Sequence, residues 1–124
     1  VWDQVEKLTA HDADGGDYFG WTVDLSFDVA VVGSYLDDSA ASDAGAAYVF
    51  ERNSGGADAW GQIERVTADD AAANDYSGIA VSISGGVIAV GAPFADEAGP
   101  GSGSAYVYRW QAAHVYLPLV VRSD

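Results

Sequence analysis

The sequence has no cysteine and few basic residues. Without cysteine, neither a disulfide framework nor a thiolate metal site can form. Five Lys and Arg stand against 19 Asp and Glu, for a formal net charge of −14. Such a surface repels phosphate backbones and anionic lipid headgroups, which argues against nucleic acid and membrane surfaces as partners. Cations and basic proteins are favoured instead, although acidity can also serve only to keep a protein soluble in a salty or extracellular medium.

Catalytic groups are equally scarce. His11 and His114 are the only histidines, and neither belongs to a paired or metal-ligand motif. The glycine-rich stretch 99–103 lacks the lysine and the helix of a phosphate-binding loop. Carboxylate pairs are abundant, but a chain with this many aspartates produces them by composition alone. The sequence therefore predicts a protein that is not an enzyme.

Long apolar runs and a helical period are also missing. No apolar run approaches the length of a membrane-spanning helix, so we expect no membrane insertion. Hydrophobic residues make up 49% of the 124, which is typical of a globular chain with a modest core. We assign essentially no helix.

The chain consists of two copies of one unit. Sliding the sequence against itself by about 58 residues keeps a gapless register with roughly twenty identities over about fifty positions. The matched positions include Trp2/Trp60, Gln4/Gln62, Glu6/Glu64, Asp12/Asp70, Asp17/Asp75, Tyr18/Tyr76, Gly20/Gly78, Val23/Val81, Gly33/Gly91 and Gly45/Gly103. Agreement of this extent indicates a structural repeat.

Each copy has the pattern of short strands. Residues 21–26 and 79–84 alternate apolar and polar, as a half-buried strand does. A tight turn leads into continuous apolar runs at 29–32 and 87–90, which predict a central strand covered on both faces. A third strand, rich in aromatics, follows in each copy, at Ala47–Phe50 and Ala105–Tyr108. A mixed charged and apolar segment, Trp2–Leu8 and Trp60–Val66, predicts an edge strand that we call the fourth type.

Aromatic residues recur at equivalent positions, as Trp2/Trp60 and Tyr48/Tyr106. Recurrence at strand spacing is what packing between repeats requires, so we interpret these residues as core; a carbohydrate- or peptide-binding platform is the alternative.

These stretches resemble the FG-GAP repeat, the blade unit of integrin-α-type propellers and of many secreted bacterial proteins. The resemblance is carried by 17–20 (DYFG) with 32–34 (VGS) in the first copy and by 75–78 (DYSG) with 90–93 (VGAP) in the second. It implies an extracellular β-propeller-type protein. Integrin-type blades often hold calcium between their first two strands, but here that connection is only Ser26–Asp28 or Ser84–Gly86. The family's calcium cage is therefore not carried over.

The predicted fold class is all-β: two tandem four-stranded antiparallel propeller-type blades with an extended apolar C-terminal tail. We divide the chain into an N-terminal fourth-type strand (1–10), a first blade (11–67), a second blade (68–110) and a tail (111–124). The second blade supplies only three strands of its own, which leaves an open edge.

The best candidate for a metal site is a loop with three carboxylates, Asp12, Asp14 and Asp17, whose glycines make the backbone flexible. Calcium prefers several hard oxygen ligands on flexible backbone, so Ca²⁺ is the one candidate cofactor. The alternative is that these aspartates and their counterparts cap turns by accepting backbone N–H bonds.

The open edge predicts self-assembly, because unpaired strand edges recruit partners. The N-terminal strand or the tail of one chain would complete a sheet in the next. The residues assigned to this assembly are Trp2, Val5, Leu8, Val115, Tyr116, Leu117, Leu119 and Val120.

The leading functional hypothesis is a secreted, non-enzymatic structural or adhesive protein whose copies form a ring or a filament. The start at Val1 without an initiator Met is typical of a mature exported protein. The alternative is a monomeric extracellular propeller fragment that binds calcium, carbohydrate or protein.

Overall fold

The structure is a computed structural model that describes residues 1–96 and 99–110. Within those residues it has seven strands and no helix: β1 (Thr22–Ser26), β2 (Val29–Ser34), β3 (Ala46–Glu51), β4 (Gly61–Val66), β5 (Ala80–Ser84), β6 (Val87–Ala92) and β7 (Ser104–Arg109). No helix in the described part of the chain is long and apolar enough to cross a membrane. The prediction of an all-β chain is confirmed.

The strands form two antiparallel sheets in chain order, β1-β2-β3-β4 and β5-β6-β7. We call them the first and the second blade. Both β2 and β6 are central strands, as their continuous apolar runs predict. Two-residue turns join β1 to β2 and β5 to β6, so sequential strands become neighbours. The described residues supply four strands to the first blade and three to the second.

Each sheet has two faces that differ in what covers them. In the first blade the front face carries Val23 and Leu25 on β1, opposite Val32 and Ala30 on β2. The back face carries Val31 on β2 and Val49 on β3, which are cross-strand neighbours. Front and back faces of the second blade are defined by the counterparts of these residues 58 positions later in the sequence.

The two blades stack face to face, as predicted. Fully buried Val31 and Ala47 of the first blade's back face form one core cluster with Ile88 and Val90 of the second blade's front face. A second cluster lies on the first blade's front face, where Ala10, Phe19 and Trp60 pack with buried residues of β2 and β3. Burial of these side chains is the main force that holds the two sheets together.

The N-terminal segment differs from expectation. Residues 1–10 form no strand, and Trp2 and Val5 are exposed, although the segment matches β4 in sequence. A strand requires a hydrogen-bonding neighbour, and none of the seven strands in residues 1–96 and 99–110 pairs with this segment. Leu8 is half-buried against the front-face cluster. The interpretation of Trp60 and Tyr48 as core residues holds, whereas Trp2 is fully exposed and belongs to neither core cluster of the described residues.

Candidate functional site

The most connected polar cluster is centred on Tyr48, in the middle of β3 and 1% exposed. Its hydroxyl oxygen lies 2.6 Å from Asp37 Oδ2 and 2.9 Å from Asp12 Oδ1. A hydroxyl has one proton, so it donates to one carboxylate at a time. Burial and these two carboxylates raise the pKa of Tyr48 well above its ordinary value. The phenol is therefore a hydrogen-bond donor, held in its neutral form.

The two carboxylates have further partners. Asp37 is buried and accepts hydrogen bonds from the Ser39 amide, at 2.8 Å, and from the Ser39 hydroxyl. Asp12 forms an ion pair with Arg65 of β4. Burial alone would raise the pKa of Asp12, but hydrogen bonds from Tyr48 and Arg65 outweigh it and hold that pKa below its usual value. The cluster thus joins the N-terminal loop, β3, β4 and the loop after β2.

The same tyrosine-aspartate bond recurs in the second blade. The Tyr106 hydroxyl lies 2.9 Å from Asp70 Oδ1, at the same sequence separation as in the first copy. The counterpart of Asp37 is Ala95, so the second copy lacks the buried carboxylate. A bond that is repeated without the rest of the cluster indicates a structural role: it fastens the loop that enters each blade to the third strand.

Asp17 and Asp75 are buried at the next turn of each copy. The Ala72 amide donates to Asp75 Oδ2 at 3.0 Å, and in both copies the aspartate amide donates to the carbonyl oxygen three residues earlier, of Asp14 or Ala72, at 3.3 Å. The turn-cap interpretation therefore describes Asp75, and Asp17 occupies the equivalent turn. Burial, with the charges of Asp37 and other nearby carboxylates, raises the pKa of Asp17.

The loop between β2 and β3 and its counterpart between β6 and β7 are held by hydrogen bonds from their own backbone to an aspartate. The Asp43 amide donates to Asp38 Oδ1 at 2.7 Å, and the Gly101 amide donates to Asp96 Oδ1 at 2.6 Å. These bonds occupy equivalent positions in the two copies. They fix loop shape and leave no need for an ion to explain the aspartates.

The predicted calcium ligands are placed at different parts of the entry loop. Asp12 is bonded to Tyr48 and Arg65, and Asp17 is buried at the following turn. Across residues 1–96 and 99–110, no group of three or more His, Asp or Glu side chains is arranged to hold a metal ion. Calcium binding through Asp12, Asp14 and Asp17 stays a prediction.

The residues predicted for assembly divide into two groups. Trp2 and Val5 are exposed, and Leu8 packs against its own blade. The other five, Val115, Tyr116, Leu117, Leu119 and Val120, lie outside the described residues, as does His114. The backbone amide of His11 donates a hydrogen bond to Gln62 Oε1 at 2.9 Å, which is a structural contact.

Sequence reasoning missed a run of aromatic rings that crosses both blades. Tyr35 contacts Tyr18, Trp21 and Tyr76 with ring centroids 4.9 to 5.9 Å apart, and Tyr76 contacts Phe94 at 5.3 Å. Tyr18 and Tyr76 occupy the same repeat position and both have left-handed backbone, with φ of 60° and 58°. The recurrence of this tyrosine was the available signal. The run packs the ends of the two blades together.

Sequence reasoning also missed which apolar strand positions remain exposed. Val23, Leu25 and Val107 are 63%, 61% and 70% exposed although they alternate like core residues. The alternation shows that a face is apolar; it does not show whether another sheet lies on it.

Two antiparallel blades, stacked front to back and built from one repeated sequence, define a β-propeller-like protein. The model of the FG-GAP repeat family matches the chain twice, over residues 2–50 and 60–108. The chain belongs to the FG-GAP repeat family. Proteins with this repeat are generally non-enzymatic and typically extracellular. No curated protein matches the chain.

Proposed function

We propose that this protein is an extracellular structural or adhesive component whose copies join by strand donation into a ring or a filament. The observation that carries the proposal is a pair of complementary features. The outer edge of β7 has no partner strand among the described residues, and Trp2–Leu8 repeats the sequence of a fourth strand without forming one.

The match between the two fourth-type segments is close. Residues 2–8 read WDQVEKL and residues 60–66 read WGQIERV. The second segment contains β4, which pairs with β3 and completes the first blade. Because sequence and strand type agree, residues 2–8 of another copy are suited to pair with β7 and to complete the second blade.

A groove is available for the side chains of such a strand. It has a volume of about 570 Å³ and lies between β4 of the first blade and the β7 side of the second. Its lining includes Ile88 and Tyr108. In the first blade Trp60 packs against the cluster that contains Ala30 and Phe50, the counterparts of those two residues. Trp2 of a second copy would fill the corresponding space.

Strand donation between different surfaces is a heterologous contact. Such a contact repeats from chain to chain and closes into a ring or continues as a filament, according to the rotation at each step. Main-chain hydrogen bonds and burial of apolar side chains contribute at the same interface. The tail, with Val115, Tyr116, Leu117, Leu119 and Val120, is the second candidate donor.

Sedimentation velocity over a micromolar concentration series tests the proposal. We expect species that are multiples of the 12.9 kDa chain, and smaller species after deletion of residues 1–9. Deletion of residues 114–124 tests the tail as donor in the same way. A peptide of residues 1–10 added in excess should shift the full chain to smaller species, whereas a scrambled peptide should not.

A full chain that stays monomeric across the series would overturn the proposal. That result would favour the alternative of a monomeric extracellular module that binds calcium, carbohydrate or protein.

A further inference from the structure

The front face of the first blade is covered over β2 and β3 by the cluster with Ala10, Phe19 and Trp60, but its apolar side chains on β1 are exposed. Val23 and Leu25 are 63% and 61% exposed. Their counterparts in the second blade, Val81 and Ile83, are half-buried because they pack against the first blade. The same two positions are therefore a contact surface in one copy and a free surface in the other.

The back face shows the reverse situation. Val31 and Ala47 of the first blade are fully buried beneath the second blade. Their counterparts Ala89 and Ala105 are half-buried and exposed, and the neighbouring Val107 is 70% exposed. The chain thus presents, at its two ends, the two halves of the interface that it forms once internally.

Glycines provide an independent indication. At Gly33 a Cβ atom would collide with the carbonyl oxygen of Gly78, so the internal junction requires glycine there. Gly91, the counterpart of Gly33, has no such neighbour: a Cβ would meet Ala80 at 3.7 Å, which is ordinary contact. Its φ is not in the left-handed region. Nothing within the described chain requires glycine at 91.

We propose that the back face of the second blade binds the front face of the first blade of a second copy, with the geometry of the internal junction. This inference rests on the proposed function and specifies its interface. Gly91 then receives the carbonyl oxygen of Gly20, the counterpart of Gly78, just as Gly33 receives that of Gly78. Strand donation and face stacking occur together, because the entry loop that follows the donated strand leads directly to β1.

Polar contacts of the internal junction can be repeated as well. The Ile83 amide donates to Asp24 Oδ2 at 2.8 Å across the two blades. At the proposed interface, the Leu25 amide of the second copy takes the place of Ile83 and Ser82 takes the place of Asp24. In the single chain the Leu25 amide donates to Asp24 Oδ1 at 2.9 Å, so the contact with Ser82 would replace that bond. A serine hydroxyl oxygen is a competent acceptor for that amide.

The first test is the substitution Gly91→Ala. It should leave the melting temperature of the chain unchanged or raised, since alanine fits the backbone and the local space. It should weaken self-association at least about tenfold, because the added methyl group would occupy the site of the second copy's carbonyl oxygen. Gly15→Ala is the matched control: its Cβ meets nothing within 4 Å, and its counterpart Ala73 already carries a methyl group.

The second test uses complementary variants. Leu25→Arg places a charge on the exposed front face and should block it, while Gly91→Ala blocks the back face. Each variant alone should be monomeric, and a mixture of the two should give a dimer from the one remaining pair of intact faces. Sedimentation velocity of the separate and mixed samples measures both results.

The outcomes separate this inference from the proposed function. If the parent chain assembles and Gly91→Ala assembles equally well, the stacked interface is wrong and strand donation stands without it. If each variant is monomeric and the mixture stays monomeric, the front-to-back pairing is wrong. A parent chain that never assembles overturns both proposals.

Discussion

Phe27 occupies a turn position that its counterpart fills with glycine. Phe27 has φ of 51° at the first turn residue between β1 and β2, and Gly85 has φ of 60° at the same place in the second copy. Left-handed backbone costs a non-glycine residue about 1–2 kcal/mol, and glycine avoids this strain. Glycine also loses more backbone entropy on folding, which offsets part of the gain. The phenyl ring is 93% exposed and adds little packing.

Phe27→Gly should therefore raise the free energy of unfolding by about 0.5–1 kcal/mol. Gly85→Phe is the reciprocal control and should lower it by a comparable amount. Urea denaturation of the three proteins under conditions that keep them monomeric measures both changes. A loss of stability in Phe27→Gly would show that the ring makes a contact that stabilises the fold.

The tyrosine-aspartate bond predicts unequal effects in the two copies. Tyr48→Phe removes a donor from buried Asp37 and should cost about 1–3 kcal/mol of unfolding free energy. Tyr106→Phe should cost less, because Ala95 stands where the first copy has Asp37. Chemical denaturation of the two variants and the parent measures which substitution lowers the free energy of unfolding more. Equal losses of unfolding free energy would mean that the hydrogen bond from Tyr48 to buried Asp37 does not stabilise the fold.

The raised pKa of Asp17 predicts a pH dependence. Burial, with the charges of Asp37, Asp14 and Asp38, holds that pKa above the ordinary value of 3.8. The folded chain therefore binds this proton more tightly than the unfolded chain, and stability is lost as pH rises from the ordinary value through the raised one. Asp17→Asn should be at least as stable as the parent at pH 7, with the difference vanishing below the ordinary value.

Melting temperatures between pH 7 and pH 3 in the presence of a chelator measure this difference. The same pair of proteins tests the calcium prediction. If Asp12, Asp14 and Asp17 bind calcium, added calcium should stabilise the parent and have a smaller effect on Asp17→Asn. A parent melting temperature that is the same with calcium and with chelator would count against the site.

At the scale of elements, the fourth-type segments share a sequence and differ in environment. Trp60 precedes β4 and packs against the front-face cluster, whereas Trp2 is fully exposed. In the monomer, Trp60→Ala should cost about 2 kcal/mol or more, and Trp2→Ala should stay within about 0.5 kcal/mol. Under assembling conditions Trp2→Ala should weaken association. A large effect of Trp2→Ala on monomer unfolding would mean that the segment packs on its own chain.

Strand patterns made most of the elements predictable from sequence. The continuous apolar run at 29–32 identified β2 as central, and the aromatic third strand places Tyr48 in the core. The segment 2–8 has the pattern of a strand but pairs with none of the strands that the structure describes, and a pattern cannot supply a neighbour. The cluster of Asp12, Asp37 and Arg65 around Tyr48 joins parts of the chain far apart in sequence, so only the fold brings it together.

At the scale of the whole molecule, the repeat gives the chain two unlike ends. One internal junction buries the back of the first blade and the front of the second, and in the described part of the chain the complementary faces keep exposed apolar side chains, Val23 and Leu25 at one end and Val107 at the other. The outer edge of β7 has no partner strand among the described residues, and the segment 2–8 lies in no sheet. A heterologous contact between such ends repeats with every added chain. The two proposals therefore lead to one physical expectation, an assembly in which the internal junction and the intermolecular junction are alike.

Electron microscopy of the full chain at micromolar concentration tests that expectation most directly. We predict rings or filaments in which successive blades have one spacing, within and between chains, because both junctions use the same surfaces. Particles of single-chain size throughout the sample, or assemblies in which two-blade units are separated by a different spacing, would contradict it.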